Sequence, residues 1–187
     1  MERMSYSLKC TVIIDLIKQL RNRGSWCGET HVQKAMYIAQ DLAKANLGYK
    51  FILYKHGPFS FELKDELSGM RASNIVEFAF RQRDYGPTIG ITEFGERVYK
   101  THEESIQRFK KINAFVADWI SASDVRNLER LATAYYVTKK HPRDPVAVRA
   151  KMISSLKPHV DIIAAEEAVR LVDQKKAEAE VQISLAA

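Results

Sequence analysis

Between Val76 and Thr92 the hydrophobic period of the chain switches, and that switch narrows the folds open to it. Val76, Phe78 and Phe80 alternate with Glu77, Ala79 and Arg81. After the turn residues Asp84-Tyr85-Gly86-Pro87, the run Thr88-Ile89-Gly90-Ile91-Thr92 alternates again. Period two marks half-buried strands, and two such runs across turn chemistry predict a β-hairpin. On both sides of it the spacing is helical. A hairpin inside a helical chain must therefore be covered by the helices around it.

Leu8, Val12, Ile13, Leu16 and Leu20 predict an amphipathic helix over 8–23, ended by Gly24. After the turn GSWCGET a second helix is expected from Thr30, with Gln33 completing a capping box. Its stripe is Val32, Ala35, Met36, Ala39 and Leu42, and Gly48 is its expected stop. Residues 49–54 are aromatic and β-branched and read as a strand, broken by His56-Gly57-Pro58. A third helix follows from about Ser60, with Phe59, Leu63, Leu67 and Met70 on one face and Asn74 at its end. Thr92 caps a helix entering Glu93. The order helix, helix, strand, helix, strand, strand, helix is that of a winged helix.

From residue 101 the pattern is helical. Ile106, Phe109, Ile112, Val116 and Trp119 share a face that continues the helix from Thr92. Ser123 is expected to cap a helix carrying Val125, Leu128, Leu131, Ala132 and Tyr135. Lys139 to Pro145 reads as a loop, because Pro142 and Pro145 cannot both sit inside a helix. Two helices follow, over 146–156 and 161–176, divided by Pro158, and the remaining tail is expected to fray. The expected fold class is α+β, mostly helical: a winged-helix core with a β-hairpin wing, followed by a C-terminal helical bundle. The domain division is 1–100 and 101–187, the second region packed on the first.

Several function classes are disfavoured. No apolar run approaches the ~18 residues of a membrane span, and the N-terminal residues lack a signal-peptide core, so a cytoplasmic protein is expected. Cys10 and Cys27 carry no CxxC or His partner and read as reduced core thiols. His31, His56, His102, His141 and His159 fall in no ligand spacing. With no glycine-rich phosphate loop and no GxSxG elbow, neither an enzyme nor a cofactor or metal is expected.

Net charge is +6. The surplus sits in 1–50, with eight Lys and Arg against four Asp and Glu, and in 101–150, with nine against six. The third helix has little of it. Glu62, Asp65 and Glu66 dominate its outer face, against Lys64, where a DNA-reading helix would carry Arg, Lys, Asn or Gln. Those three carboxylates, with the aromatic Tyr85, suit a basic protein partner. Arg81 and Arg83 on the wing, and Lys139, Lys140 and Arg143 after it, are the candidates for nucleic-acid contact. Lys18, Arg21 and Arg23 close the first helix and are read as structural. Trp26 either anchors a partner or covers the core.

Five short motifs resemble known families. Thr30-x-x-Gln33-Lys34, Tyr54-Lys55-His56-Gly57-Pro58-Phe59-Ser60 and Ile91-Thr92-x-x-Gly95 are similar to motifs of the YwgA-type and Panacea (SocA-like) winged-helix families. Leu128-Glu129-Arg130-Leu131-Ala132-Thr133 and Leu156-Lys157-Pro158-His159 resemble signatures of the YwgA type. His56 stands where Tyr is common, and Arg130 where an apolar residue is usual. The resemblance covers about residues 8–172. It implies a regulatory or toxin-neutralising protein of a toxin–antitoxin or phage-defence system. The expected partner is then a protein, a toxin or defence effector. Nucleic acid is the alternative, and a homodimer through the faces at 106–119 and 125–135 is a third possibility.

Overall fold

His31 to Ala39, nine consecutive residues of one helix, are buried on every side, and the rest of the chain is arranged around them. The computed structural model describes residues 4–80 and 86–184. Its helices are α1 (Tyr6–Asn22), α2 (Glu29–Leu42), α3 (Phe61–Ala72), α4 (Glu93–His102), α5 (Gln107–Ile120), α6 (Val125–Lys140), α7 (Val146–Leu156) and α8 (Ile162–Ser184). Two antiparallel hairpins interrupt them: β1 (Ile52–Tyr54) with β2 (Gly57–Phe59), and β3 (Val76–Ala79) with β4 (Thr88–Ile91). The molecule is mostly helical with two small sheets. Among the described residues, no helix is long and apolar enough to cross a membrane.

α2 is the central helix. It packs against α1, α3, β2, α5 and α6, which is why residues around its whole circumference are buried. Buried residues from both sides of residue 100 form a single apolar cluster, from Val12 and Ile13 through Leu63 to Ile112, Tyr135 and Val169. A polar pin crosses it. Asp15 on α1 accepts hydrogen bonds from Tyr99 Oη at 3.0 Å and from Asn113 Nδ2 at 2.8 Å. Arg149 on α7 makes a second, with both oxygens of Asp173 on α8 at 2.7 Å.

The expected hairpin at 76–92 is present, with Val76 opposite Ile91 and Phe78 opposite Ile89. Thr92 caps α4 by accepting from Gly95 N at 3.0 Å. The glycine has a steric reason: a Cβ there would lie 2.1 Å from the Ile75 carbonyl oxygen. Thr92-x-x-Gly95 thus joins α4 to the end of β3's lead-in by one cap and one close approach. Ser60 caps α3, and Asn74 takes a left-handed φ of 54° after it.

Other expectations need correction. Gly28, not Thr30, precedes α2, and no side chain caps it. The left-handed residue that ends α2 is Lys44, φ 48°, with Gly48 four residues further on. The segment 49–54 contributes only three strand residues, and Gly57-Pro58-Phe59 pairs back onto them instead of breaking away. In a two-stranded sheet Pro58 can sit where no N–H is needed. A 3₁₀ turn at Glu103–Ile106 separates α4 from α5. Asp124, one residue after Ser123, caps α6. α6 runs through Lys139 and Lys140, so these two close a helix and do not lie in a loop. α8 continues to Ser184, supported by Lys175 and Gln174 paired with Glu178. Cys10 and Cys27 are free and buried.

Candidate functional site

The motif residues, scattered over 127 positions of sequence from Gln33 to His159, meet at one junction. α2 supplies Gln33 and Lys34, the β1–β2 hairpin supplies Lys55, His56 and Gly57, α6 supplies Glu129 and Thr133, and the link after α7 supplies Lys157 and His159. Gln33 explains why its helix has no capping box. Its amide donates to Ser60 O at 3.0 Å and accepts from Ser60 N at 2.9 Å, clamping the start of α3 to the central helix.

Glu129 is the hub. Its carboxylate pairs with Lys157 Nζ at 2.8 Å, both side chains 8% exposed. His56 Nδ1 lies 3.4 Å from one oxygen and His159 Nε2 3.8 Å from the other. Burial pushes the Glu129 carboxyl up, but Lys157 and the two imidazoles outweigh it and hold it below the usual range. Lys157 also donates to the carbonyls of Tyr54 and Lys55, so one ammonium ties α6 to the hairpin backbone. Gly57 permits the contact: its φ is +86°, and a Cβ there would lie 3.3 Å from Thr133 Oγ1. Lys34 is 2% exposed. Burial pushes its ammonium down to about 8, with Glu129 opposing and Lys157 reinforcing the shift. Among the described residues no group of His, Cys, Asp and Glu could hold a metal ion.

Outside this lock lies an apolar surface. Tyr54, Phe59 and Phe61 form a ring cluster with centroids 5.2 to 5.9 Å apart. Tyr54 and Phe61 are 46% and 50% exposed, and Ile52 and Leu156 are exposed nearby in sequence to the same hairpin and link. The junction holds these rings in place from below.

The sequence-predicted residues fare unevenly. On α3, Asp65 is exposed and Glu62 is exposed but engaged. Ser60 Oγ donates to Glu62 at 2.7 Å and Lys50 N at 3.3 Å, and the Ser60 bond chiefly lowers its pKa. Glu66 is not part of a solvated face, as expected from spacing alone. It is turned toward α1 and pairs with Lys9 at 2.9 Å, where little of either side chain is exposed. Arg81, Arg83 and Tyr85 lie outside the described residues. Lys139 pairs with Asp41 at 2.6 Å, Lys140 lies over the Tyr136 ring, and Arg143 is exposed.

Lys18, Arg21 and Arg23 are internal braces to Glu96, the Ile89 carbonyl and Asp118. Trp26 is half-buried and donates to Gly86 O at 3.0 Å. The faces at 106–119 and 125–135, expected as a dimer surface, are mostly consumed by the chain's own core, with Val125 left exposed. Missed as site residues were Lys34, Glu129, Lys157 and His159. Their signal was present: each is a charged or titratable residue inside one of the short motifs.

No protein-family model and no curated protein matches this chain, so the case for a site rests on its geometry.

Proposed function

We propose that the chain is a non-catalytic, cytoplasmic binding protein that recognises a protein partner through the aromatic face of Tyr54, Phe59 and Phe61. The observation that carries this reading is a cluster of exposed rings fixed on a hairpin by a buried ion-pair lock. Exposed apolar clusters of this kind mark interaction surfaces, and aromatic anchors contribute most of the energy of protein interfaces. Glu62 and Asp65 lie on α3 just beyond Phe61 and supply an acidic rim, which suits a partner with basic residues around an apolar pocket. The lock also argues against catalysis. The Glu129 carboxylate at its centre is already taken up by Lys157, His56 and His159.

In this reading α1, α2 and α3 with the β3–β4 hairpin are a winged-helix core, and its third helix is used for protein contact. The resemblance to YwgA-type and Panacea-like proteins supports a toxin or defence effector as the partner. The test is co-purification with the product of the neighbouring gene, followed by calorimetry. Tyr54→Ala with Phe61→Ala should weaken binding by about 30-fold or more, the scale of interface hot spots. Glu62→Lys with Asp65→Lys should weaken it less and mainly slow association. Unchanged affinity in the aromatic double variant rejects the face.

Nucleic-acid binding keeps one observation in its favour: Lys140 at the end of α6 and Arg143 just beyond it remain at the surface. A gel-shift affinity that is steep in salt and reduced by Arg143→Ala would support it.

A further inference from the structure

At the other end of α2 the charges are arranged differently. A cleft of about 540 Å³ opens between the C-terminal end of α2, the start of α5, and α8, with Tyr135 of α6 lining it. Four cations line it: Lys44, Arg108, Lys111 and Lys176. Arg108 and Lys111 are three residues apart on α5 and share a face. Lys44 directly follows the end of α2 in the left-handed conformation.

Of the carboxylates present, Asp41 is already engaged, by Lys139 at 2.6 Å and by Tyr135 Oη at 2.8 Å. Among the described residues, Glu180 is the only other one in the lining. The side chains of Lys44 and Arg108 make no hydrogen bond or ion pair with another described residue. Lys176 Nζ lies 5.2 Å from the centre of the Tyr135 ring. Lys44 and Arg108 therefore leave the cleft with cationic charge that no described residue pairs. Leu42 and Ile183 give it an apolar wall.

We infer that this cleft binds a small phosphorylated molecule of nucleotide size. A flat basic surface would suit any polyanion, but this is a concave site within the usual size range of small-molecule pockets. Arg and Lys converging from three elements match phosphate oxygens, which accept several charge-assisted hydrogen bonds at once. The apolar wall and the Tyr135 edge suit the uncharged body of such a ligand. Binding here spans α2, α5 and α8, so it links the far end of the central helix to the C-terminal helix. The inference is independent of the protein-binding face, and its failure leaves that reading untouched.

The test uses the full chain and three probes: ADP, inorganic pyrophosphate and a single-stranded oligonucleotide. Calorimetry at physiological ionic strength should show saturable one-site binding of ADP, and ADP should raise the melting temperature. Lys44→Ala with Arg108→Ala, both at exposed and unpartnered side chains, should weaken ADP binding by about tenfold per cation lost with an unchanged circular-dichroism spectrum. Arg126→Ala, an exposed cation on α6, should leave it unchanged. Pyrophosphate should compete with ADP. The inference is overturned if ADP does not bind, if the double variant binds it as the wild type does, or if only the oligonucleotide binds.

Discussion

The central helix carries a cluster of cations at each end, and the two are built in opposite ways. Near its start, Lys34 and Lys157 surround a buried carboxylate, and Lys157 reaches Glu129 at 2.8 Å. Just past its end, Lys44 and Arg108 face open space with no partner among the described residues. Buried charges must be paired or neutralised to be tolerated, whereas exposed like charges cost only a little and can be kept for a ligand. The contrast therefore separates a positioning device from a binding site. The junction holds the aromatic face; the cleft waits on an anion.

The strongest attempt to break this division is Glu129→Ala. It leaves Lys157 and Lys34 buried beside one another without a counter-charge, and removal of one partner from a buried pair costs about 3–5 kcal/mol. Urea unfolding should show the loss directly. A change under about 1 kcal/mol, the range of surface pairs, would mean that the junction is a solvated cluster after all.

Gly57→Ala probes the same lock through packing. The residue would have to hold φ +86° and place its Cβ 3.3 Å from Thr133 Oγ1, so a loss of about 2 kcal/mol is expected. If the hairpin merely hung from the surface, the strained φ would relax and the variant would melt like the wild type.

How far these features could be read in advance depends on whether they are local. The period change at 76–92, the Thr92 cap, the start of the third helix near Ser60 and its end at Asn74 are fixed within a few residues and were legible. Gln33 was misread because its spacing from Thr30 satisfies a local rule, while a tertiary partner, the Ser60 backbone, claims its amide. Glu62 and Glu66 are one helical turn apart and look equivalent from spacing. Only the position of Lys9 on α1 makes one of them an exposed carboxylate and the other an internal ion pair. The junction was visible as motifs but not as a site, since Glu129 and Lys157 acquire meaning only when α6 and the link after α7 reach the hairpin. The cleft left no local mark at all: Lys44, Arg108 and Lys176 are surface-type residues on three separate elements.

Lys34→Met sharpens the comparison from inside the junction. Lys34 is buried yet makes no direct ion pair among the described residues, so an apolar side chain of similar length should be about 1 kcal/mol more stable at neutral pH. The sign follows from its titration. The folded ammonium is pushed from 10.5 down to about 8, so the unfolded chain binds more protons between those values and wild-type stability rises with pH there. The advantage of Lys34→Met should thus be full below about pH 8 and should shrink as pH approaches 10.5. Unfolding of both proteins across that window measures it as a difference, in which the tyrosine titrations common to both cancel. A variant destabilised as strongly as Glu129→Ala would instead make Lys34 an essential counter-ion.

The smallest effect belongs to the open end. Without ligand, Lys44 and Arg108 stay in the cationic lining without a counter-charge among the described residues, and each like-charge neighbour at helical spacing costs a few tenths of a kcal/mol. Lys44→Ala with Arg108→Ala should therefore stabilise the free protein slightly, by about 0.5 kcal/mol. The gain should fade as salt shortens the screening length from about 10 Å at 0.1 M toward about 3 Å at 1 M. Added ADP should reverse the order, because only the wild type gains binding energy from it. That crossing has no counterpart at the junction, where Lys157 is held inside the fold by Glu129 and two hairpin carbonyls. If the double variant were less stable than the wild type without ligand, Lys44 and Arg108 would be structural, and the two ends of α2 would not differ in kind.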